Sequence, residues 1–387
     1  MKLFATLCLL VGGVDSQLYS YQSSVSALLD IGLQIEKVNA ALGSSANYTN
    51  ATLEYESTVG SGLSLRYILN CGQPQLPACT TEPFSTHVSH WFSQDYMHSF
   101  VGPILSDATA HSWTLDDDAR KELIMKSMVL EGVLMAVQAR VQASADTCSN
   151  TQTSLRFLDE AWALYSGSLS DGPIRLAEKR APQFLTEAAI HEDHSAGQSR
   201  VNVRLLETFK MMQSLVQSGD CSSLSGTNTP ASRIISLTRV PVIQGMLREA
   251  FESDPGRRNV TGGADGFIEV VEGWAFTRAV LPAIDACNAS VAQTLERNLG
   301  NIGLGPAGAH VPDGFDVVLE AVESTYSCLG IRCDDVNAMA DPWRTGQTLW
   351  EPCTDPTTTT TTQVMETSGS ALLLPMLSVP LLALLQA

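Results

Sequence analysis

Positive charge is scarce in this sequence of 387 residues, which has 23 Lys and Arg against 41 Asp and Glu and a formal net charge of −18. Such a surface repels a nucleic-acid backbone, so we expect no nucleic-acid partner. It attracts cations, although an acidic excess most often serves solubility. The composition therefore leaves two interpretations of the charge, a solvated coat or part of a cation site.

Motifs of common enzyme chemistry are also missing. The sequence has no G-x-S-x-G elbow, Walker loop or dinucleotide fingerprint, and the glycine-rich stretch 302–310 contains Pro306 and follows no predicted strand. No C-x2-C pair is present to bind zinc. The string HEDH at 191–194 is one residue short of the H-E-x-x-H zinc-protease motif. These absences favour a binding protein over an enzyme.

Both ends of the chain have the composition of targeting segments. Residues 1–16 combine Lys2, an apolar stretch and small residues near position 16, which predicts a signal peptide. Residues 371–387 are apolar, uncharged and short, and they follow Ser-Gly-Ser, which predicts a removed glycosylphosphatidylinositol signal. An ordinary C-terminal membrane tail is the alternative. The threonine-rich segment 354–370 predicts an O-glycosylated stalk, so we expect a protein attached to the plasma membrane at the cell surface.

Cysteines and glycosylation sequons agree with passage through the secretory pathway. Removal of Cys8 with the signal leaves an even number of cysteines, as expected of disulfides. They are Cys71, Cys79, Cys148, Cys221, Cys287, Cys328, Cys333 and Cys353. Their pairing does not follow from spacing, although Cys71 with Cys79 and Cys328 with Cys333 are near enough for small loops. The predicted glycosylation sites are Asn47, Asn50, Asn259 and Asn288.

The middle of the chain has apolar residues at helical spacing, and alternating runs typical of strands are scarce. The predicted helices are a long segment from Asp116, then 154–166, 199–217, 232–252, 266–280, 284–298 and 315–326. We therefore expect an all-α fold of packed helical bundles, stabilised by disulfides.

Two stretches of the helical region repeat. The segment around Gly132 aligns with that around Gly245, 113 residues later, and Glu160-Ala-Trp162 aligns with Glu272-Gly-Trp274, 112 residues later. A repeat of this length predicts an internal duplication that forms two similar lobes, about 17–195 and 196–350, with a cleft between them.

The same segments resemble a known family. The blocks LDEAWALYSGSL, AEKRAPQF, SRVNVRLLETF, RVPVIQGMLREAF, VEGWAFTRAVLPAIDAC and STYSCLGIRCDDV follow one another between Lys121 and Val336. Together they resemble the Fe-assimilating protein and phytotransferrin family of algae. The resemblance implies a cell-surface protein that binds ferric iron, in some members together with carbonate, and delivers it to an uptake receptor or reductase.

Ferric iron is a hard cation that prefers carboxylate and phenolate oxygens. Glu160 and Glu272 occupy equivalent repeat positions on apolar helices and could bind one ion from both lobes; ion pairs with Arg or Lys are the alternative. Tyr165 could supply a phenolate, or it could be a core tyrosine with a bonded hydroxyl. Glu131 is a weaker candidate because its repeat partner is Gln244, which has no charge.

Histidines offer further ligands. If residues 186–195 are helical, Glu187, His191 and His194 lie on one face and could hold one ion. In helical phase His87, His90 and His98 also share a face, for which a solvated polar surface is the preferred interpretation.

A bound carbonate would need a cation. Lys179 and Arg180 are the candidates, since the guanidinium fork suits a planar oxyanion; a surface ion pair is the ordinary alternative. The sequence thus predicts a ferric-iron-binding protein. A metal-free surface adhesion or receptor domain is the first alternative, and an extracellular zinc hydrolase that uses Glu187, His191 and His194 is the second.

Overall fold

A computed structural model of the chain describes most residues from Tyr19 to Asp355. The gaps are 44–45, 59–63, 75, 107–110, 112, 114, 168, 171, 189–198, 225, 227, 258–266, 305–309 and 342–343. The predicted signal peptide, nearly all of the stalk and the C-terminal tail lie outside the described residues.

The described chain is built from helices, which confirms the all-α prediction. They are α1 (Ser26–Ala41), α2 (Tyr48–Glu56), α3 (Leu65–Ile68), α4 (Phe84–Trp91), α5 (Tyr96–Ser106), α6 (Asp117–Ser127), a π-helical segment (Met128–Val133), α7 (Leu134–Asp146), α8 (Thr151–Ser166), α9 (Pro173–Gln183), α10 (Arg200–Ser218), α11 (Pro230–Ser253), α12 (Phe267–Cys287), α13 (Ala289–Leu299), α14 (Phe315–Glu323), α15 (Tyr326–Leu329) and α16 (Cys333–Val336). No strand occurs among the described residues, which form only three isolated β-bridges.

Local sequence signals explain where the long helices begin. Asp116 accepts a hydrogen bond from the backbone N–H of Ala119, and Ser199 begins α10 in the same way with Asn202. Thr229 and Ser232 form a capping box, and Pro230 occupies the first position of α11. The predicted break near Pro282 is wrong, because α12 continues through this proline to Cys287.

Two helix pairs form the centre of the molecule. α7 packs against α8 and α11 against α12, while α6 crosses α12 and α7 contacts α11. Gly245 makes the α11–α12 approach possible, since a Cβ there would lie 2.3 Å from the Phe276 ring. Residues up to Asp355 form one compact unit. The predicted lobe boundary near residue 195 falls outside the described residues, so the duplication and the two lobes stay predictions.

Four disulfides link the helices to the surrounding loops. They are Cys71–Cys79, Cys148–Cys221, Cys287–Cys328 and Cys333–Cys353. The small loop between Cys71 and Cys79 is confirmed. The loop between Cys328 and Cys333 is wrong, because Cys328 instead joins α15 to the end of α12, and Cys333 joins α16 to the last described segment.

Candidate functional site

Glu160 on α8 is engaged in ion pairs. Its Oε2 accepts a hydrogen bond from Arg140 Nε at 3.1 Å, and its Oε1 lies 3.8 Å from Arg156 Nε. Arg140 is buried, so this carboxylate offsets the cost of burying a guanidinium. Glu160 therefore forms ion pairs with arginine, which was the alternative to metal binding.

Tyr165 and Glu131 also have protein partners. The Tyr165 hydroxyl donates to Asn202 Oδ1 at 2.7 Å, and burial raises the pKa of this phenol, so it remains neutral. Glu131 lies in the π-helical segment and accepts from Arg278 Nε at 2.9 Å. Burial raises the pKa of Glu131 to about 7, although Arg278 opposes the shift.

The helix predicted for residues 186–195 is absent from its described part, residues 186–188. Residues 184–188 form a turn and a β-bridge, in which exposed Glu187 pairs with Ser199, so Glu187 has no helical face to share. His191 and His194 lie outside the described residues.

The three N-terminal histidines do not form the solvated face that the spacing predicted. His87 is buried against the Tyr96 ring, and burial lowers its pKa to about 3. His90 Nδ1 lies 2.8 Å from Asp285 Oδ2, and His98 stacks on Tyr55. The helical phase is broken because α4 ends at Trp91 and α5 begins at Tyr96.

Lys179 and Arg180 differ in burial. Arg180 is fully buried and pairs with Glu249 at 3.2 Å, so a surface ion pair is wrong for this residue. Lys179 is exposed and lines a cavity of about 220 Å³ with Lys121, Lys126 and Arg175. The cavity has four basic and two acidic residues among those that line it, so its charge suits an anion and Lys179 is placed to contact one.

Glu272 has other carboxylates as neighbours. Its Oε1 lies 3.7 Å from Lys126 Nζ, and the same ammonium is 4.0 Å from Glu122 Oε2. On α11, burial raises the pKa of Glu249 and Glu252, and the charges of Glu269 and Glu272 on α12 add to the shift of Glu252. We call the five residues the glutamate cluster: Glu122, Glu249, Glu252, Glu269 and Glu272.

Close packing of α11 and α12 assembles the cluster. A Cβ at Gly273 would lie 3.2 Å from the Cβ of Glu249, so the glycine leaves room for the Glu249 stem. On each helix the two glutamates are three residues apart, which places them on one face. α6 adds Glu122 from the side, since it crosses α12.

The cluster contains more carboxylates than cations. Five glutamates lie near four cations, Lys121, Lys126, Arg180 and Arg248, and the Arg248 guanidinium binds Glu249 at 2.6 Å and Glu252 at 2.7 Å. Burial raises the pKa of Glu249 to about 7; Arg180 and Arg248 oppose the shift, and the nearby glutamates add to it. One oxygen each of Glu249 and Glu269 has no hydrogen-bond partner among the described residues. The cluster thus has carboxylate oxygens that accept no hydrogen bond from a described residue.

Sequence reasoning identified only Glu272 of this cluster. The signal for four members is visible as E-x-x-E twice, at 249–252 and 269–272. It was missed because convergence of the two pairs depends on helix contacts at Gly245 and Gly273.

The carboxylate oxygens of the cluster are not arranged around a common centre. No group of three or more His, Cys, Asp or Glu side chains in the described part of the chain is arranged to hold a metal ion. A cation bound by the cluster would therefore require its side chains to turn toward it.

Three of the four sequons can be placed. Asn47 and Asn288 are exposed N-cap residues of α2 and α13, and Asn50 is exposed on α2. Asn259 lies outside the described residues. The exposed sites are open to modification, and glycosylation itself stays a prediction.

The chain matches no protein-family model, no curated protein and no solved structure. Among the described residues, no helix is long and apolar enough to span a membrane.

Proposed function

We propose that the protein binds ferric iron at the cell surface through the glutamate cluster. The observation that carries the proposal is the surplus of carboxylates over cations at one place, since hard cations prefer oxygen ligands. The resemblance to Fe-assimilating proteins and phytotransferrins supports iron as the ion. Attachment to the plasma membrane, through a lipid anchor or a C-terminal tail, and delivery to an uptake receptor or reductase belong to the same proposal.

Solvent exposure and a neighbouring basic cavity favour the glutamate cluster over the other candidate residues. The Glu122 and Glu272 side chains keep 31% and 16% of their surface exposed, so an ion can approach from solvent. The basic cavity with Lys179 also contains Glu122 and Lys126. A carbonate bound there would lie beside the carboxylates and balance the charge of the ion.

Titration of the purified full-length chain with ferric nitrilotriacetate, with and without bicarbonate, tests the proposal. Glu272→Gln should weaken iron binding by at least about tenfold, because it removes a charged donor from the cluster. Glu160→Gln is the matched control, with the same change at the equivalent repeat position. It should leave the affinity unchanged, because Glu160 is occupied by Arg140 and Arg156.

A metal-free surface receptor or adhesion domain is the second candidate. The ion pairs of Glu160 and Glu131 and the hydrogen bond of Tyr165 favour it, because these residues stabilise the fold without a metal. Absence of tight iron binding in both titrations would rule out the first candidate. Iron binding that both variants retain would place the site outside the cluster.

A further inference from the structure

Arg239 on α11 differs from the other arginines in the described chain. Each of the others has a protein oxygen within 4.0 Å of its guanidinium. Arg239 has neither a hydrogen bond nor an ion pair with any described residue. Burial lowers its pKa to about 10, with only the more distant charge of Glu82 opposing. The Glu82 carboxylate itself accepts hydrogen bonds from Ser85 and Thr86.

Arg239 faces a cavity of about 470 Å³ between α11, α15 and the turn before α11. Asn228 and Ser327 also line the cavity; both are exposed, and neither side chain has a hydrogen bond within the described chain. No acidic residue is among the described residues that line it. In a chain with a net charge of −18, the cavity is therefore a local region of positive potential.

The walls of the cavity are fixed in place. Arg233 donates to both carboxylate oxygens of Asp335 at 2.8 and 3.0 Å and to the Gly330 carbonyl at 3.1 Å. The Ser236 hydroxyl donates to the Leu329 carbonyl at 2.7 Å. The Cys287–Cys328 disulfide holds α15 to the end of α12. Arg239 on α11 and Ser327 on α15 thus lie on helices that are held together, which lowers the entropic cost of binding.

Arg239 is half-buried, and a partly desolvated guanidinium without a counterion is less stable than one in water, so a bound anion would lower that cost. The planar guanidinium fork matches the oxygens of phosphate and carboxylate groups. We propose that Arg239 binds a small oxyanion, a phosphate or carboxylate group, in this cavity, with Asn228 and Ser327 as further donors. The volume leaves room for an organic group attached to the oxyanion.

This site is separate from the glutamate cluster. Arg239 precedes Glu249 by ten residues on α11, which corresponds to about 15 Å along a helix axis. The inference does not rest on the proposed iron binding, and it is tested in metal-free buffer.

Thermal unfolding and calorimetry of the full-length chain test the proposal, with chelator present and ionic strength held constant by chloride. Inorganic phosphate, glycerol 3-phosphate and citrate are the probes. At least one should raise the melting temperature in a saturable way. A stronger effect of glycerol 3-phosphate or citrate than of inorganic phosphate would identify an organic anion as ligand, and equal effects of the two phosphates would identify the free ion.

Arg239→Gln should weaken binding of the active probe by at least about tenfold, since charged hydrogen bonds are the strong ones. Its melting temperature in chloride should be no lower than that of the wild type, because the variant loses an unpaired cation. Arg239→Lys keeps the charge without the fork and should bind with intermediate affinity. Arg297→Gln, which changes an exposed arginine paired with Asp313, is the matched control and should bind as the wild type does. Absence of a saturable shift with all three probes, or full binding by Arg239→Gln, would overturn the proposal.

Discussion

Glu131 offers a direct test of the buried electrostatics. Its side chain is 1% exposed, and only one of its oxygens has a hydrogen-bond partner among the described residues, the Nε of Arg278. Arg278 is held in turn between the Trp91 and Phe100 rings, with its guanidinium carbon 3.8 and 3.9 Å from their centroids. This confinement keeps the ion pair out of water, and burial raises the pKa of Glu131 to about 7.

A raised pKa means that the folded state binds the proton more tightly than the unfolded state. The resulting stabilisation is complete below the unfolded pKa of about 4.3 and is lost as the pH rises to about 7. Since one pKa unit corresponds to about 1.4 kcal/mol, the loss over this range is on the order of 4 kcal/mol. Above pH 7 the contribution of Glu131 no longer changes.

Glu131→Gln should remove this pH dependence, because glutamine keeps an oxygen for Arg278 but does not titrate. Urea unfolding at pH values from 5 to 8 measures the difference between wild type and variant. The variant should gain stability relative to the wild type as the pH rises, by most of the estimated amount. Glutamine is tolerated at Gln244, the repeat partner, which is buried and donates to the Val336 carbonyl at 2.9 Å.

Glu36→Gln provides a control of opposite sign. Burial would raise the pKa of Glu36, but hydrogen bonds from the Ser170 hydroxyl and backbone N–H lower it overall. This carboxylate therefore stabilises the fold above its unfolded pKa and loses that effect as the pH falls. Parallel pH profiles of wild type and Glu131→Gln would refute the reasoning, because they would show that Glu131 titrates alike in the folded and unfolded chain.

Two further predictions concern helix packing and the chain terminus. Gly245→Ala should destabilise the protein by about 1–3 kcal/mol in urea unfolding, because the new Cβ meets the Phe276 ring, and Phe276→Leu in the same chain should restore part of the loss; unchanged stability would contradict the close α11–α12 contact. Phosphatidylinositol-specific phospholipase C should release the protein from cells if a lipid anchor holds it; retention after treatment would favour the C-terminal membrane tail.

Helical periodicity predicted most helices from Asp116 onward but missed those that precede it. All of α1–α5 and α9 were missed. α4 contains histidine, serine and threonine and has only two buried residues, and α5 is interrupted in sequence by Pro103 although six of its residues are buried. α9 has proline at its first position and again at Pro182. In contrast, α12 was predicted as ending near Pro282, yet packing against α11 and α6 carries the helix through it. Tertiary contacts in these places outweigh the local signal.

The two repeated glutamates show why the site could be predicted only in part. Glu160 and Glu272 have similar local sequences, each two residues before a buried tryptophan. Their environments differ because Arg140 and Arg156 come close to Glu160, whereas Glu272 meets Lys126 and the other glutamates. A sequence pattern indicates which residues lie on a buried face, but the charge that faces them is set by other helices. Glu160 is therefore neutralised by arginines, whereas Glu272 belongs to a group with more carboxylates than cations.

The two proposed sites are independent because each depends on a different unbalanced charge. Most arginines of the described interior are paired with acids, so unbalanced charge is left in few places: a surplus of carboxylates at the glutamate cluster and an unpaired guanidinium at Arg239. Charges of opposite sign on one helix would cancel if they met, but about 15 Å of α11 and a largely apolar interior separate them. Glu272→Gln should therefore leave phosphate binding unchanged, and Arg239→Gln should leave iron binding unchanged. Loss of both activities in either variant would indicate that a single site, or a general loss of structure, accounts for both.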